Sequence, residues 1–251
     1  MVPYFIMMVG LPGSGKSTYA KKLSDKIQIT IYSSDAIREE LFGDENCQAN
    51  NNKVFETLHR RIKDRLKNKE NVVYDATNIS SKRRRAFLSE LKNIPCYKKC
   101  IIMATPFDEC CRRNNLRDRN VPMEVIDRMY KNWNTPYWFE GWDDIEIVND
   151  DKKNYIYEWL CSVDNFCQDN PHHTYSLGEH CRNVGKHVEE MLNGAVLDDK
   201  ALVYAGYLHD CGKPFTKSFI NSKGEETSTA HYYQHHCTGA YDSLFYKYDE
   251  Y

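Results

Sequence analysis

The chain has 251 residues, 41% apolar and 28% charged, which fits a water-soluble globular protein of one large domain or two modest ones. No run approaches the roughly 18 apolar residues of a membrane span, and the ten cysteines lack zinc-ribbon spacing in a chain too long to need a disulfide framework. The net charge of −2 hides an asymmetry: residues 1–150 carry 25 Lys+Arg against 21 Asp+Glu, whereas residues 151–251 carry 9 against 15 and hold eight of the nine histidines.

The first apolar run, Tyr4–Val9, has no basic flank or cleavage site and reads as a buried strand rather than a leader. The thiols are expected to be reduced, as in a cytoplasmic protein. Cys96 with Cys100, or Cys110 with Cys111, remain the alternative metal pairs. Directly after the first strand comes Gly10-Leu-Pro-Gly13-Ser14-Gly15-Lys16-Ser17, followed by Thr18 and a helical run over Ser17–Lys26. Glycines let the backbone wrap phosphate oxygens and aim successive N–H groups inward. The helix start adds partial positive charge. Lys16 is placed to neutralise the β- and γ-phosphates of ATP, and the Ser17 hydroxyl to hold Mg²⁺.

A second apolar run, Ile27–Ser33, leads into Ser34-Asp35-Ala-Ile-Arg38. Ligand sites of parallel sheets lie at the carboxyl ends of strands, so Asp35 is a candidate general base and Arg38 a candidate anion clamp. A bland reading, that Asp35 only caps a helix, stays open. Phe55, Leu58, Ile62 and Leu66 mark a helix; Asn71–Asp75 is a third strand ending in Asp75-Ala-Thr77-Asn78. Asp75 is either a carboxylate serving the metal or the acceptor, or a turn former. Lys82-Arg83-Arg84-Arg85, together with Arg60, Arg61 and Lys67, could track a nucleic-acid backbone or simply be solvated. A helical pattern over Arg84–Leu91, a strand over Tyr97–Ala104 and a strand over Ile145–Val148 complete an alternating pattern that predicts an α/β parallel sheet flanked by helices. Between the last two strands lie Arg112, Arg113, Arg117 and Arg119 at helical spacing. They are a candidate lid over ATP, with a solvated helix face as the alternative.

After residue 150 helical signals dominate: a connecting helix over Asp150–Cys167, then Leu177–Leu192, Asp198–His209 and Tyr233–Tyr246, with a turn at Asn221–Gly224. His180, His209-Asp210 and His235 come from separate predicted helices, which is how helical folds assemble metal sites. His172, His173 and His187 have no assignable partner and read as surface residues. The predicted boundary divides a domain over 1–149 from an all-α domain over 150–251.

The first half resembles the polynucleotide kinase branch of the P-loop phosphotransferases over residues 4 to about 148. The likeness rests on Gly10–Thr18, Ser34–Arg38, Asp75–Asn78 followed by Arg83-Arg84, and Arg113–Arg117 followed by Val121-Pro122 and Arg128-Met-Tyr130. The resemblance implies Asp35 as base, Arg38 on the phosphate beside the acceptor 5′-OH, and Asp75 with Thr77 and Asn78 around the acceptor. It implies Arg113 and Arg117 on the ATP phosphates. The lid is shorter than the family's by about one residue, which leaves the role of Arg119 open. The second half resembles the HD-domain phosphohydrolases through Asn170-Pro171-His172-His173, Glu179-His180, Leu208-His209-Asp210-Cys-Gly-Lys213 and Ala230-His231-Tyr-Tyr-Gln-His235. That likeness implies a divalent transition metal (Mn, Fe, Co, Ni or Zn) on His180, His209 and Asp210, a second metal near His235, and Lys213 steadying a phosphate. His236 stands where the family usually has an acidic residue. The family's closing aspartate is missing; Asp242 and Asp249 come too early, so the domain is expected to be truncated or degenerate. Together the halves suggest end healing of single-stranded or nicked RNA or DNA, with no membrane partner and a homo-oligomer left open. A small-molecule kinase and an ATP-binding regulator are the alternatives.

Overall fold

The structure is a computed structural model that describes residues 2–45, 47, 50–117, 120–149, 154–192 and 200–247. It forms two compact units, Met1–Met129 with Asn134–Asp150, and Tyr130–Trp133 with Asp151–Tyr251.

The first unit is a five-stranded parallel sheet in the order β2-β3-β1-β4-β5. Its strands are β1 (Tyr4–Val9), β2 (Thr30–Ser33), β3 (Val72–Asp75), β4 (Tyr97–Ala104) and β5 (Asp144–Asn149). β1 and β3 are near-continuous buried runs, as central strands covered on both faces must be. The register pairs Met7 with Tyr74 and Ser33 with Asp75. The loops after β1, β3 and β2 therefore emerge side by side on one edge, the place where open α/β sheets bind ligands.

Helices α1 (Lys16–Ile27), α2 (Ser34–Phe42), α3 (Asn51–Lys67), α4 (Ser81–Glu90), α5 (Phe107–Asn115) and α6 (Met123–Lys131) link these strands. Helix α3 shows why they pack: Val54, Leu58, Ile62 and Leu66, each four residues on, form one stripe no more than 2% exposed. Helix α4 departs from the expected basic surface. Arg84 turns inward to a fully buried two-pronged pair with Glu140, Nε at 2.8 Å and Nη2 at 2.6 Å. Arg61 is likewise occupied by Glu40 at 2.5 and 2.7 Å.

The second unit is mostly helical, as expected: α7 (Ile156–Ser162), α8 (Leu177–Leu192), α9 (Lys200–Leu208), α10 (Lys213–Thr216) and α11 (His235–Asp242). Two small strand pairs add to it. β6 (Asn154–Tyr155) runs parallel to β9 (Tyr246–Lys247), and β7 (Ser218–Ile220) pairs with β8 (Glu226–His231) in a hairpin. The hairpin turn is the one expected at Asn221–Gly224, closed by Gly224 N–H donating to Asn221 O at 3.0 Å. Its strands carry Ser and Thr with only Ala230 buried, so no apolar alternation announced them. The connecting helix is shorter than expected; residues 150–153 lie outside those described, and the helix ends at Ser162 ahead of the turn-forming Asp164-Asn165. The last expected helix starts two residues late because Gln234 sits at a left-handed φ of 62°. All ten cysteines are free thiols.

Candidate functional sites

The loop after β1 is shaped by two left-handed glycines, Gly13 at φ 82° and Gly15 at 87°. A Cβ on Gly13 would lie 2.2 Å from the carbonyl oxygen of Cys110 on α5, so only glycine fits. Gly10 N–H donates to Thr77 O at 3.0 Å, and Thr105 Oγ1 donates to Ser14 O at 3.1 Å, tying the loop to β3 and β4. Lys16 is buried and donates from Nζ to Leu11 O at 2.7 Å and Ser14 Oγ at 3.4 Å. Ser17 and Thr18 stand exposed at the helix start. This cradle of backbone donors with a buried cation fits a nucleoside triphosphate.

Burial pushes Lys16 down from 10.5 to about 8, with Asp75 opposing and the Arg117 charge adding to the fall. The downward direction means that the buried ammonium costs stability below about pH 8, a cost relieved as pH rises through that value. Triphosphate binding needs the ammonium, so its dependence runs the other way. Affinity for ATP is expected to weaken roughly tenfold between pH 7 and pH 9, as read by calorimetric titration; a flat profile would show that Lys16 stays charged throughout.

Asp35 and Arg38 lie at the start of α2. The N-cap is Ser33, which accepts from Asp35 N–H at 3.2 Å and Ala36 N–H at 3.4 Å. The Asp35 side chain is therefore not needed as a cap. It accepts from Arg38 Nη1 at 2.6 Å with 46% of its surface open. Arg38 is buried and donates from Nη2 to Asn51 Oδ1 at 3.1 Å; its buried Nε has no partner among the described residues. Asn51, the first residue of α3, had no signal in the sequence. Asp75 is buried at the end of β3 and is the chief charge offsetting the burial of Lys16. Asn78, in the left-handed region at φ 48°, spends its amide on Met8 O at 2.9 Å. Arg113 on α5 has its Nη1 3.9 Å from where a Cβ on Gly15 would be, and its Nε donates to Glu109 at 2.7 Å. Arg112 shares that carboxylate through Nε and Nη2, and the hydrogen bonds from the two arginines hold Glu109 down at about 2. Arg117 is exposed, with its charge felt at Lys16; Arg119 lies outside the described residues.

The second unit gathers its own cluster. Gly185 on α8 and Gly206 on α9 allow close packing: a Cβ on Gly185 would strike the Tyr207 ring at 2.3 Å, and one on Gly206 would stand 3.1 Å from Gly185 Cα. This brings His180 Nε2 of α8 within 3.1 Å of His209 Nε2. The Asp210 Oδ2 lies 3.5 and 3.2 Å from those two nitrogens. Gly212 does the same service for α11, since a Cβ there would meet His235 O at 2.1 Å. His235 Nε2 faces the other carboxylate oxygen, Oδ1, at 3.3 Å. Carbonyls fix the tautomers: His209 Nδ1 donates to Gly206 O at 2.8 Å and His235 Nδ1 to Tyr232 O at 2.7 Å, which turns both Nε2 atoms to the carboxylate.

Burial works against the Asp210 charge, but hydrogen bonds from His209, His235 and Lys213 outweigh it and hold its pKa far below the usual range. The bond to Asp210 in turn raises His209 and His235, while burial lowers His180. Two imidazole nitrogens and a carboxylate, all within 4.8 Å, make a donor set that fits a divalent cation in place of those shared protons. His209→Ala is expected to cut bound transition metal by more than the roughly 10–100-fold that a lost supporting hydrogen bond costs. Elemental analysis of the purified protein reads this, and unchanged content would refute the site.

Lys213, expected to meet a phosphate, is buried and spends its Nζ on Asp210 at 2.7 Å and Gln168 Oε1 at 2.7 Å, with His173 Nε2 at 3.4 Å. His173 thus borders the cluster. Among the described residues Asp242 is no part of it: its carboxyl, pushed up to about 7 by burial, accepts from Tyr130 Oη. Asp249 lies outside the described residues.

Comparison with known proteins bears on both units. Residues 5–136 match the family model described as AAA domain, and residues 177–246 the model described as HD domain. The L-seryl-tRNA(Sec) kinase of Methanococcus maripaludis is 32% identical over 162 residues, covering 60% of this chain. The chain spans 61% of that relative's length. The crystal structure of Chaetomium thermophilum Kti12 in complex with ADP-AlF3 superposes with a TM-score of 0.50 at 18% identity, over 60% of this chain and 91% of that one, a likeness of fold alone. A chain of the Pnkp1/Rnl/Hen1 complex aligns at 25% identity and a TM-score of 0.41 over 49% of this chain and 42% of that one.

Proposed function

The chain belongs to the AAA domain family, and from that premise we propose that its P-loop kinase unit transfers the γ-phosphoryl group of ATP to the 5′-hydroxyl end of RNA or DNA. The observation that carries the reading is the buried Arg38. It is braced between Asp35 and Asn51, and among the described residues its Nε has no partner. A neutral acceptor gives no reason to bury a guanidinium; a phosphodiester next to the reacting hydroxyl does. Asp35 takes the hydroxyl proton as the acceptor oxygen bonds to the γ-phosphorus and the bridging oxygen leaves with ADP. Lys16, the loop N–H groups, Arg113 and Arg117 oppose the charge spread over the transferring group. Asp75 positions the acceptor, with Thr77 and Asn78 shaping that end of β3. Mg²⁺, when bound at Ser17, supplies further charge neutralisation.

The HD unit is read as a metal phosphoesterase for 3′-phosphate or 2′,3′-cyclic phosphate ends, the complement of 5′ phosphorylation in end healing. Its support is the set His180, His209 and Asp210, with His235 on the second carboxylate oxygen. A metal held there supplies an activated water; Lys213 keeps the Asp210 carboxylate aimed at it.

A second reading is favoured by the seryl-tRNA kinase likeness: the acceptor hydroxyl belongs to a small group carried on RNA. The test is radiolabel transfer from γ-labelled ATP to a 5′-OH oligonucleotide, the same with a 3′-phosphate on its terminal nucleotide, seryl-tRNA, and a panel of nucleosides, antibiotics and sugars. Label at the oligonucleotide 5′ end is expected. Transfer to seryl-tRNA alone would install the second reading. Transfer to a nucleoside, antibiotic or sugar but to no nucleic acid would overturn both.

A further inference from the structure

Three consecutive aromatics of the first unit face water: Tyr137, Trp138 and Phe139, at 49%, 59% and 76% exposure. Trp138 and Phe139 lie on a 3₁₀ turn, Trp138–Glu140, with Tyr137 at its N-cap, and hydrogen bonds hold the turn in place. Glu140 N–H donates to Tyr137 O and Gly141 N–H to Trp138 O, each at 3.0 Å. Glu140 is the buried partner of Arg84 and also accepts from Trp142 Nε1 at 3.0 Å. The segment is laced to the chain that leaves β3. Asn134 N–H donates to Ile79 O at 3.1 Å, Ser81 N–H to Asn134 Oδ1 at 3.3 Å, and Arg84 Nη1 to Asn78 O at 2.8 Å. Tyr137 and Phe139 stack with centroids 5.4 Å apart and planes 13° apart. Pro136, Glu140 and Trp142 are the buried residues of this stretch, and the aromatics at 137–139 between them are exposed.

Helix α4, joined to this turn by the Arg84–Glu140 pair, also carries the exposed cations Lys82, Arg83 and Arg85. We propose that Tyr137, Trp138 and Phe139 form a stacking platform for the bases of a single-stranded polynucleotide, with Lys82, Arg83 and Arg85 along its phosphates. Flat aromatic faces interleaved with cations are the general device for holding single strands, because every base offers a π-face. A second copy of the chain is the poorer occupant, since a two-fold contact would set these cations against one another. The proposal rests on the reading of the acceptor as a polynucleotide and extends it beyond the terminal nucleotide.

The test uses the full chain and a fluorescein-labelled single-stranded decanucleotide, read by anisotropy. The double substitution Trp138→Ala/Phe139→Ala is expected to weaken binding about tenfold for each stacked base lost. In the transfer assay it should raise KM for the decanucleotide by the same factor and leave KM for a nucleoside 3′-phosphate in place. Lys82→Ala/Arg85→Ala should weaken binding and flatten its salt dependence by roughly one unit of slope per phosphate contact. Equal affinity of wild type and the aromatic double variant overturns the platform, as does an equal KM rise for both acceptors. A changed sedimentation coefficient in that variant would make the face a protein contact. Failure of the wild type to bind the decanucleotide overturns it outright. Binding without phosphoryl transfer leaves the platform standing and removes the kinase reading instead.

Discussion

Asp35→Asn is expected to lower the single-turnover rate of phosphoryl transfer by about 10²–10⁴-fold, the range that a positioned general base contributes. The fold should survive. Ser33, not Asp35, caps α2, and the charge of Asp35 in the first helical turn is worth only about 0.3–1 kcal/mol to the helix. Asparagine keeps an oxygen for Arg38 Nη1, so the guanidinium stays braced by it and by Asn51. The loss should thus appear in the chemical step, with ATP affinity and melting temperature little changed. Turnover like that of the wild type would leave Asp35 as nothing more than an anchor for Arg38.

Arg84→Ala is expected to destabilise the first unit by about 3–5 kcal/mol, the cost of removing one partner from a buried ion pair. Both side chains are wholly inaccessible, and the guanidinium makes three hydrogen bonds, two to Glu140 and one to Asn78 O. Burial pushes the Glu140 carboxyl up, but Arg84, with Ser81 and Trp142, outweighs it and holds the carboxyl below its usual range. In the native protein this pair contributes stability above the unfolded pKa of Glu140, and the contribution fades as pH falls through the lower folded value. Without Arg84 the sign reverses: burial then raises the carboxyl, and the deficit should be larger at pH 7 than near pH 4, as read by urea unfolding. Arg84→Met with Glu140→Leu should recover most of the loss. A single Arg84→Ala with a native midpoint would refute the account.

These two residues mark what a sequence discloses and what it conceals. The phosphate loop was legible because its glycines answer a local demand, left-handed backbone and no Cβ against Cys110, that few other residues meet. The sheet was legible because central strands are apolar throughout. Arg84 was not: within Lys82–Arg85 four like charges look alike, and only the distant Glu140 decides which one turns inward. Asn51 was hidden for the same reason, since its role lies in Arg38, 13 residues away. In the second unit His180, His209, Asp210 and His235 stood out by type, but His173 reads like any surface imidazole until Lys213 is found 3.4 Å away. The β7–β8 hairpin escaped because it buries almost nothing.

The glycine contact between α8 and α9 has a thermodynamic corollary. The spacing it sets is also the spacing between His180 Nε2 and His209 Nε2, so separating the helices and opening the cation cage are one motion. Any ion that enters the cage becomes a staple across the helix pair, lending it stability that grows with the logarithm of ion concentration. Chelation would then soften the second unit alone, and a methyl group added at Gly185 would act as a chelator does, without touching a ligand.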